Sequence, residues 1–214
     1  LTRHSPALKK KTTVKGNNIM TQANQEALDL LFNDARTYNH WQKKPVDEAL
    51  LKKLYDLTKM APTSANCQPL RVLFLTSDEA KEKLRPALAE GNVEKTMSAP
   101  VVAILGKDMK FHEKLPELFP HADAKSWFEG NEPLIQETAY RNSSLQGGYF
   151  ILAARAVGLD CGPMSGFDND TVNETFFKGT SHVANFICNL GYGDDKDMFP
   201  RSPRPNFNDM CKVL

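Results

Sequence analysis

No apolar run in this 214-residue chain approaches the ~20 residues that a membrane-spanning helix requires. The expectation is therefore a soluble protein with no membrane partner. Cysteine is scarce: Cys67, Cys161, Cys188 and Cys211 are scattered, without a C-x-x-C pair, which excludes a disulfide framework and predicts reduced thiols in a cytoplasmic setting. Surplus charge is also lacking. The net value of +1 gives no basis for nucleic-acid binding. Three common engines are missing as well: no G-x-x-x-x-G-K-[ST] phosphate loop, no G-x-G-x-x-G turn and no G-x-S-x-G elbow. His4, His40, His112, His121 and His182 have no metal-ligand spacing, so no metal is expected.

What is present is a globular composition, 41% hydrophobic and 25% charged, which excludes a disordered chain and provides a sizeable core. Its charge is unevenly placed. Five basic residues and no acid lie within 1–19, leaving 22 basic against 26 acidic residues in the remainder. This leader has no apolar core of the signal-peptide kind, and Met20 reads as the natural start. The expected organisation is a vector-derived or disordered leader at 1–19 and one domain over 20–214, ending in an extended arm.

Asn24 predicts a capped helix to about Phe32, with Ala27, Leu28, Leu30 and Leu31 as its apolar stripe. Asp47 caps a second, amphipathic helix that stops before Pro62. A strand over 71–76 follows, then helices from Ser77 to Pro86 and from about Leu88 to Met97. Residues 100–106 form an apolar run, read as a buried strand. Residues 107–131 have no clear period and read as an irregular excursion or lid. The longest helix spans Pro133 to Val157, with Leu145, Gly148, Leu152 and Ala156 on one side; Gly147 and Gly148 imply close backbone packing there. A loop over 158–163, a short helix over 168–177 and a strand over 183–190 complete the domain. Three prolines between 200 and 205 keep the tail non-helical and extended. Helices mixed with separated strands, without βαβ alternation, indicate the α+β class.

Residues Ala61-Pro62-Thr63-Ser64-Ala65-Asn66-Cys67-Gln68-Pro69 stand out between the second helix and the first strand. Two prolines bracket small hydroxyl and amide side chains, so the segment reads as an ordered loop whose hydrogen-bonding groups can meet a flat ligand edge. Read alone, it serves equally as a helix-to-strand connector. Cys67 within it reads as a small buried thiol rather than a nucleophile, because no base adjoins it.

This loop resembles the A-P-S-S-x-N-x-Q-P-W segment of the nitroreductase-like flavoproteins, with Leu70 where that family often has Trp. Four further segments resemble family blocks in the same order. The resemblance implies an α+β fold with a central, mainly antiparallel sheet flanked by helices, an intertwined homodimer, bound FMN, and NADH or NADPH as hydride donor. It also implies site roles. Arg36 and Thr37, in Asp34-Ala-Arg-Thr-Tyr-Asn39, match the phosphate segment R-R-S-x-R, with Asn39 at its last position. Pro62, Thr63, Ser64, Asn66 and Gln68 match the flavin-contacting loop. Asn92 and Lys95 match N-x-x-K, the amide facing the flavin N3/O2 edge and the ammonium facing N1/O2. Pro163, Ser165 and Gly166 match the loop whose backbone N–H groups face flavin N5 and O4; relatives often carry Glu at the Ser165 position. Arg201 and Arg204 match the C-terminal phosphate-binding pair. No catalytic side chain is assigned, since the flavin supplies the chemistry.

Within that family, Ala35 to Trp41 and the Arg-Ser-Pro-Arg tail most resemble the malonic semialdehyde reductase branch. The implied activity is ping-pong hydride transfer to a small acceptor, such as malonic semialdehyde. Two alternatives stay open: a broad nitroaromatic or quinone reductase, and a flavin-binding module without turnover.

Overall fold

The computed structural model describes residues 22–214, so the basic leader expected at 1–19 lies outside the described residues. Four apolar segments become strands β1 (Leu70–Leu75), β2 (Val101–Asp108), β3 (Asp160–Met164) and β4 (His182–Gly191), joined antiparallel in the order β1-β2-β4-β3. β2 is central because both of its faces are apolar. Val101, Ala103 and Leu105 enter one core with Leu54, Phe150 and Leu159. Val102 and Ile104 enter another with Trp41, Leu84 and Phe177. That period of two is what a doubly covered strand requires. Truncating the fully buried Ile104 to Ala should cost about 2–5 kcal/mol.

The covering helices are α1 (Gln25–Leu28), α2 (Glu48–Thr58), α3 (Asp78–Leu84), α4 (Glu90–Met97), α5 (Leu115–Leu118), α6 (Glu132–Ala156), α7 (Asn169–Val172) and α8 (Phe207–Met210). Side-chain caps start α1 (Asn24), α3 (Ser77), α6 (Asn131) and α7 (Asp168). Asp47 holds the cap position of α2, but it accepts through its backbone carbonyl rather than its carboxylate.

Several expectations need correction. The first helix loosens into a wide π-type turn at Asp29–Asn33; of the expected stripe, Leu28 and Leu30 stay exposed while Ala27 and Leu31 are half-buried. Residues 160–164 are a strand, not a loop, because Gly158 at positive φ ends α6 and returns the chain alongside β4. The 107–131 excursion is no loose lid: Phe111, Leu115, Ala124 and Phe128 bury themselves with Cys67, Ile135 and Ala139 as a third core. The tail does form one helical turn, α8, beyond the last proline, closed by a capping box between Asn206 and Asp209. Of the two adjacent glycines, only Gly147 permits close packing, since a Cβ there would lie 2.5 Å from the Phe186 ring; Gly148 faces open space.

Candidate functional site

Arg36 and Thr37 are placed by the turn after α1, which runs beside β3. Thr37 bridges Cys161 in parallel fashion, and the Tyr38 N–H donates to the Cys161 carbonyl at 3.0 Å. The C-terminal arm crosses the same segment. Arg201 donates to the Ala35 carbonyl at 2.9 Å and to that of Asn33, while Arg36 donates back to the Phe199 carbonyl. Arg204 donates to the Ser202 carbonyl at 2.9 Å. These contacts frame a cleft of about 420 Å³ with Arg36, Thr37, Arg155, Arg201, Ser202 and Arg204 among its walls and no carboxylate. A guanidinium offers five donors in a fixed fork, so the cleft is chemically an anion site of phosphate type. Asn39 is not part of it. It lines an adjoining cleft of about 70 Å³ that also contains Asp194, Lys196 and Asp197 and shares Arg36 and Thr37 with the first. Next to it, burial and then Asp160 and Asp195 push the Tyr38 phenol up to about 12, so it remains protonated.

Following β3 from Cys161 leads to Pro163, Ser165 and Gly166. Here the chain meets α4: Asn92 donates through Nδ2 to the Gly166 carbonyl at 2.8 Å, and the Ala89 N–H donates to the same oxygen at 3.0 Å. A Cβ on Gly166 would lie 2.5 Å from the Asn92 amide, so a larger residue would displace Asn92 from this contact. Ser165 and Gly166 are exposed. Lys95 is fixed through its backbone, whose carbonyl accepts from Trp41 Nε1 at 2.9 Å and Asn189 Nδ2 at 3.1 Å. Its half-buried ammonium is held below the ordinary lysine value by desolvation. β3 thus leads from Cys161, beside the anion cleft, to the Ser165–Gly166 turn, which is held by Asn92 of α4, the helix that also carries Lys95.

The 61–69 loop is ordered but lies elsewhere. Ala65, Asn66 and Gln68 have φ of 48°, 49° and 42°, the left-handed region that L-residues with bulky side chains avoid. Local bonds hold that strain. The Ser64 N–H donates to Asn142 Oδ1 at 2.9 Å, Asn66 Nδ2 donates to the Leu118 carbonyl at 2.9 Å, and Gln68 Nε2 donates to Asn66 Oδ1 at 2.8 Å. Gln146 closes the set, donating to Gln68 Oε1 at 2.6 Å and accepting from the Leu70 N–H at 2.9 Å. Thr63 accepts from the Gln68 N–H at 3.3 Å. Most of the amide groups expected to meet a ligand are therefore committed within the chain, leaving Pro62 and the Ser64 side chain outward. Burial pushes the Cys67 thiol up to about 11, which fits a structural role.

Gln146 and Arg155 are nine residues apart on α6, or ~2.5 turns, so they face opposite sides of the helix. The structure thus brings Arg36, Thr37, Arg201 and Arg204 together, continues to Pro163, Ser165, Gly166, Asn92 and Lys95, and leaves the loop apart. Sequence reasoning missed Arg155, whose position in the last turn of a helix is ordinary for a cation. It also missed Asn142 and Gln146, two amides on a buried helix face that also carries Thr138 and Ser143. Among the described residues there is no cluster of metal-ligating side chains and no helix long and apolar enough to cross a membrane.

Comparison with known proteins adds an independent finding. The family description "Nitroreductase family" matches residues 34–192, which includes Arg36, Thr37 and Arg155 of the cleft, β3 and the loop but not Arg201 or Arg204. A Burkholderia lata protein named "Putative NADH dehydrogenase/NAD(P)H nitroreductase" is 62% identical over 194 residues, covering 91% of this chain and all of the relative. A crystal structure of a "putative nitroreductase" from Bacillus subtilis superposes with a TM-score of 0.81 at 22% identity, covering 89% of this chain and all of the other. One from Exiguobacterium sibiricum, solved in complex with FMN, gives 0.74 at 22% identity, covering 91% of this chain and all of the other.

Proposed function

The chain belongs to the nitroreductase family, and from that premise we propose that it binds FMN, accepts hydride from NADH or NADPH and delivers it to a small acceptor. The observation that carries this reading is the arginine cleft beside the start of β3, the strand that leads on to the Asn92-held turn at Ser165–Gly166. Its donor set suits FMN. Arg36, Arg201, Arg204 and the Thr37 hydroxyl would hold the phosphate, in a cleft lined by no competing carboxylate. The turn at Ser165–Gly166, supported by Asn92, would present exposed backbone to the flavin ring, with Lys95 as the nearby cation. Bound FMN supplies two-electron hydride chemistry, so the protein's tasks are to bind, orient and tune. Asn92 fixes the turn, and Lys95 favours negative charge on the reduced cofactor.

For the acceptor we favour malonic semialdehyde, reduced to 3-hydroxypropionate, because Ala35 to Trp41 and the Arg201-Ser-Pro-Arg204 tail resemble that branch. A broad nitroaromatic or quinone reductase is the second reading, favoured by the relatives' names.

We also read the working unit as a homodimer. The α6 face bearing Leu145, Gly148, Tyr149 and Leu152 is open in the single chain, and Phe207, Met210 and Val213 of the arm are 63–84% exposed. A groove of about 980 Å³ runs between α2 and the free edge of β1, with Leu51, Tyr55, Val72 and Phe74 among its walls. The arm of a second copy and this groove suit each other, and the 61–69 loop would then reach the partner's cleft. An obligate interface of this kind buries more than ~2,000 Å².

The purified protein should be yellow, with about one FMN per chain. NAD(P)H should bleach the colour, and a small acceptor should restore it rapidly. A panel of malonic semialdehyde, a nitroaromatic and a quinone separates the two acceptor readings by kcat/KM. Protein that binds no added FMN would overturn the cofactor reading. Flavin that NAD(P)H cannot reduce would instead leave a binding module.

A further inference from the structure

Arg155 is the one cleft cation that comes from a long helix rather than from the α1 turn or the arm. Its Nη1 donates to the Leu31 carbonyl at 2.9 Å, which ties the end of α6 to the turn that carries Arg36. Its Nε–H is buried and has no hydrogen-bond partner among the described residues. A buried donor on a charged group without an acceptor is costly, and the other polar side chains lining this cleft are three guanidinium groups and two hydroxyls, with no carboxylate. The position has a second physical meaning. Arg155 lies in the last turn of α6, a 25-residue helix whose carbonyl end carries partial negative charge. An anion held beside that end would be repelled unless a cation from the same turn offset it.

We propose that Arg155 is a direct phosphate-binding residue of the flavin site, and that it makes the carboxyl end of α6 tolerant of the phosphate dianion. This rests on the FMN reading above. Arg155 takes no part in hydride transfer; it anchors one end of the cofactor and, through Leu31, joins that anchor to the segment bearing Arg36 and Thr37.

The test compares FMN with riboflavin, which differs only in lacking the phosphate. Both are titrated by flavin fluorescence into flavin-stripped full-length protein carrying Arg155, Arg155→Met or Arg155→Lys. A charge-assisted hydrogen bond predicts that Arg155→Met weakens FMN binding roughly 10- to 100-fold while riboflavin binding stays within about twofold. Arg155→Lys should recover part of the loss, because the charge returns without the fork. Unchanged FMN affinity in Arg155→Met overturns the proposal. So does an equal loss for FMN and riboflavin, which would mark Arg155 as a brace for Leu31 alone. Wild-type protein that binds neither flavin overturns the FMN reading and this inference together.

Discussion

The 61–69 loop and the arginine cleft hold their polar groups in opposite ways. In the loop, the Asn66 and Gln68 amides are engaged in short internal bonds, and three left-handed φ values within four residues are braced by Asn142 and Gln146. In the cleft, guanidinium groups lean on a few backbone carbonyls and keep most of their donors uncommitted. The first arrangement fixes a shape, and the second awaits a charge. A flat ring is positioned by a rigid wall, whereas a phosphate is held by adaptable cations. The division suits a ligand with one aromatic end and one anionic end, although no single chain brings the two regions onto the same side of α6.

The largest effect that would break this comparison comes from removing the arm. A chain ending at Met198 loses Arg201, Arg204 and the apolar residues of α8, but keeps the contacts of Gly193 with Gln42 and Asp160. We expect dimerisation and FMN retention to disappear together, with FMN affinity down by more than ~100-fold if two charge-assisted anchors are lost. The cores on both faces of β2 should persist. Sedimentation and flavin content measure the outcome; a truncated, flavin-loaded monomer would show that the arm serves neither purpose.

Mixed dimers sharpen the comparison further. Gln146→Ala leaves Gln68 Oε1 and the Leu70 N–H without their partner, at a cost of about 1–3 kcal/mol, or roughly 2–4 °C per kcal/mol in a chain of this size. Arg36→Ala weakens the cleft. If each site joins one chain's cleft to the other's loop, a dimer with Gln146→Ala on one chain and Arg36→Ala on the other retains one intact site. It should bind one FMN at wild-type affinity, and placing both changes on one chain should leave none. Two equally weakened sites in the first dimer would mean that loop and cleft serve the same chain.

These two regions also differed in how legible they were in the sequence. The loop's order could be read from Pro62 and Pro69, and the doubly apolar β2 from its unbroken run. The loop's internal use of its own amides could not, because Asn142 and Gln146 lie more than seventy residues away. Arg36 and Arg201 were visible through their motif positions, and the structure does bring them together. Arg155 carried no local signal, since its meaning depends on where α6 ends against Leu31. Residues 160–164 were misread as a loop for a related reason: Gly and Pro mark breaks locally, but pairing with β4 overrides that preference. Asn39 was assigned to the phosphate segment by position alone, and it lines the adjoining cleft of mixed charge, with Asp194, Lys196 and Asp197, rather than the arginine cleft.

The smallest expected effect concerns Lys95, where position matters more than affinity. Its backbone is pinned by Trp41 and Asn189, so replacing the side chain should leave α4 in place. On the proposed placement of Lys95, Lys95→Met would remove a positive charge from beside the site where reduction adds negative charge. If that interaction is worth about 1.4 kcal/mol, the two-electron potential should fall by ~30 mV. FMN affinity should change little, because the phosphate anchors lie farther along β3. The pH dependence provides the sharper test. Burial holds the Lys95 ammonium below the ordinary lysine value, so its charge is present at neutral pH and is lost earlier on alkaline titration than that of a solvated lysine. Wild type and Lys95→Met should therefore differ at neutral pH and converge as the medium becomes alkaline. A gap that stays constant across that titration, or a potential that rises in the variant, would mean that Lys95 does not face the reduced ring.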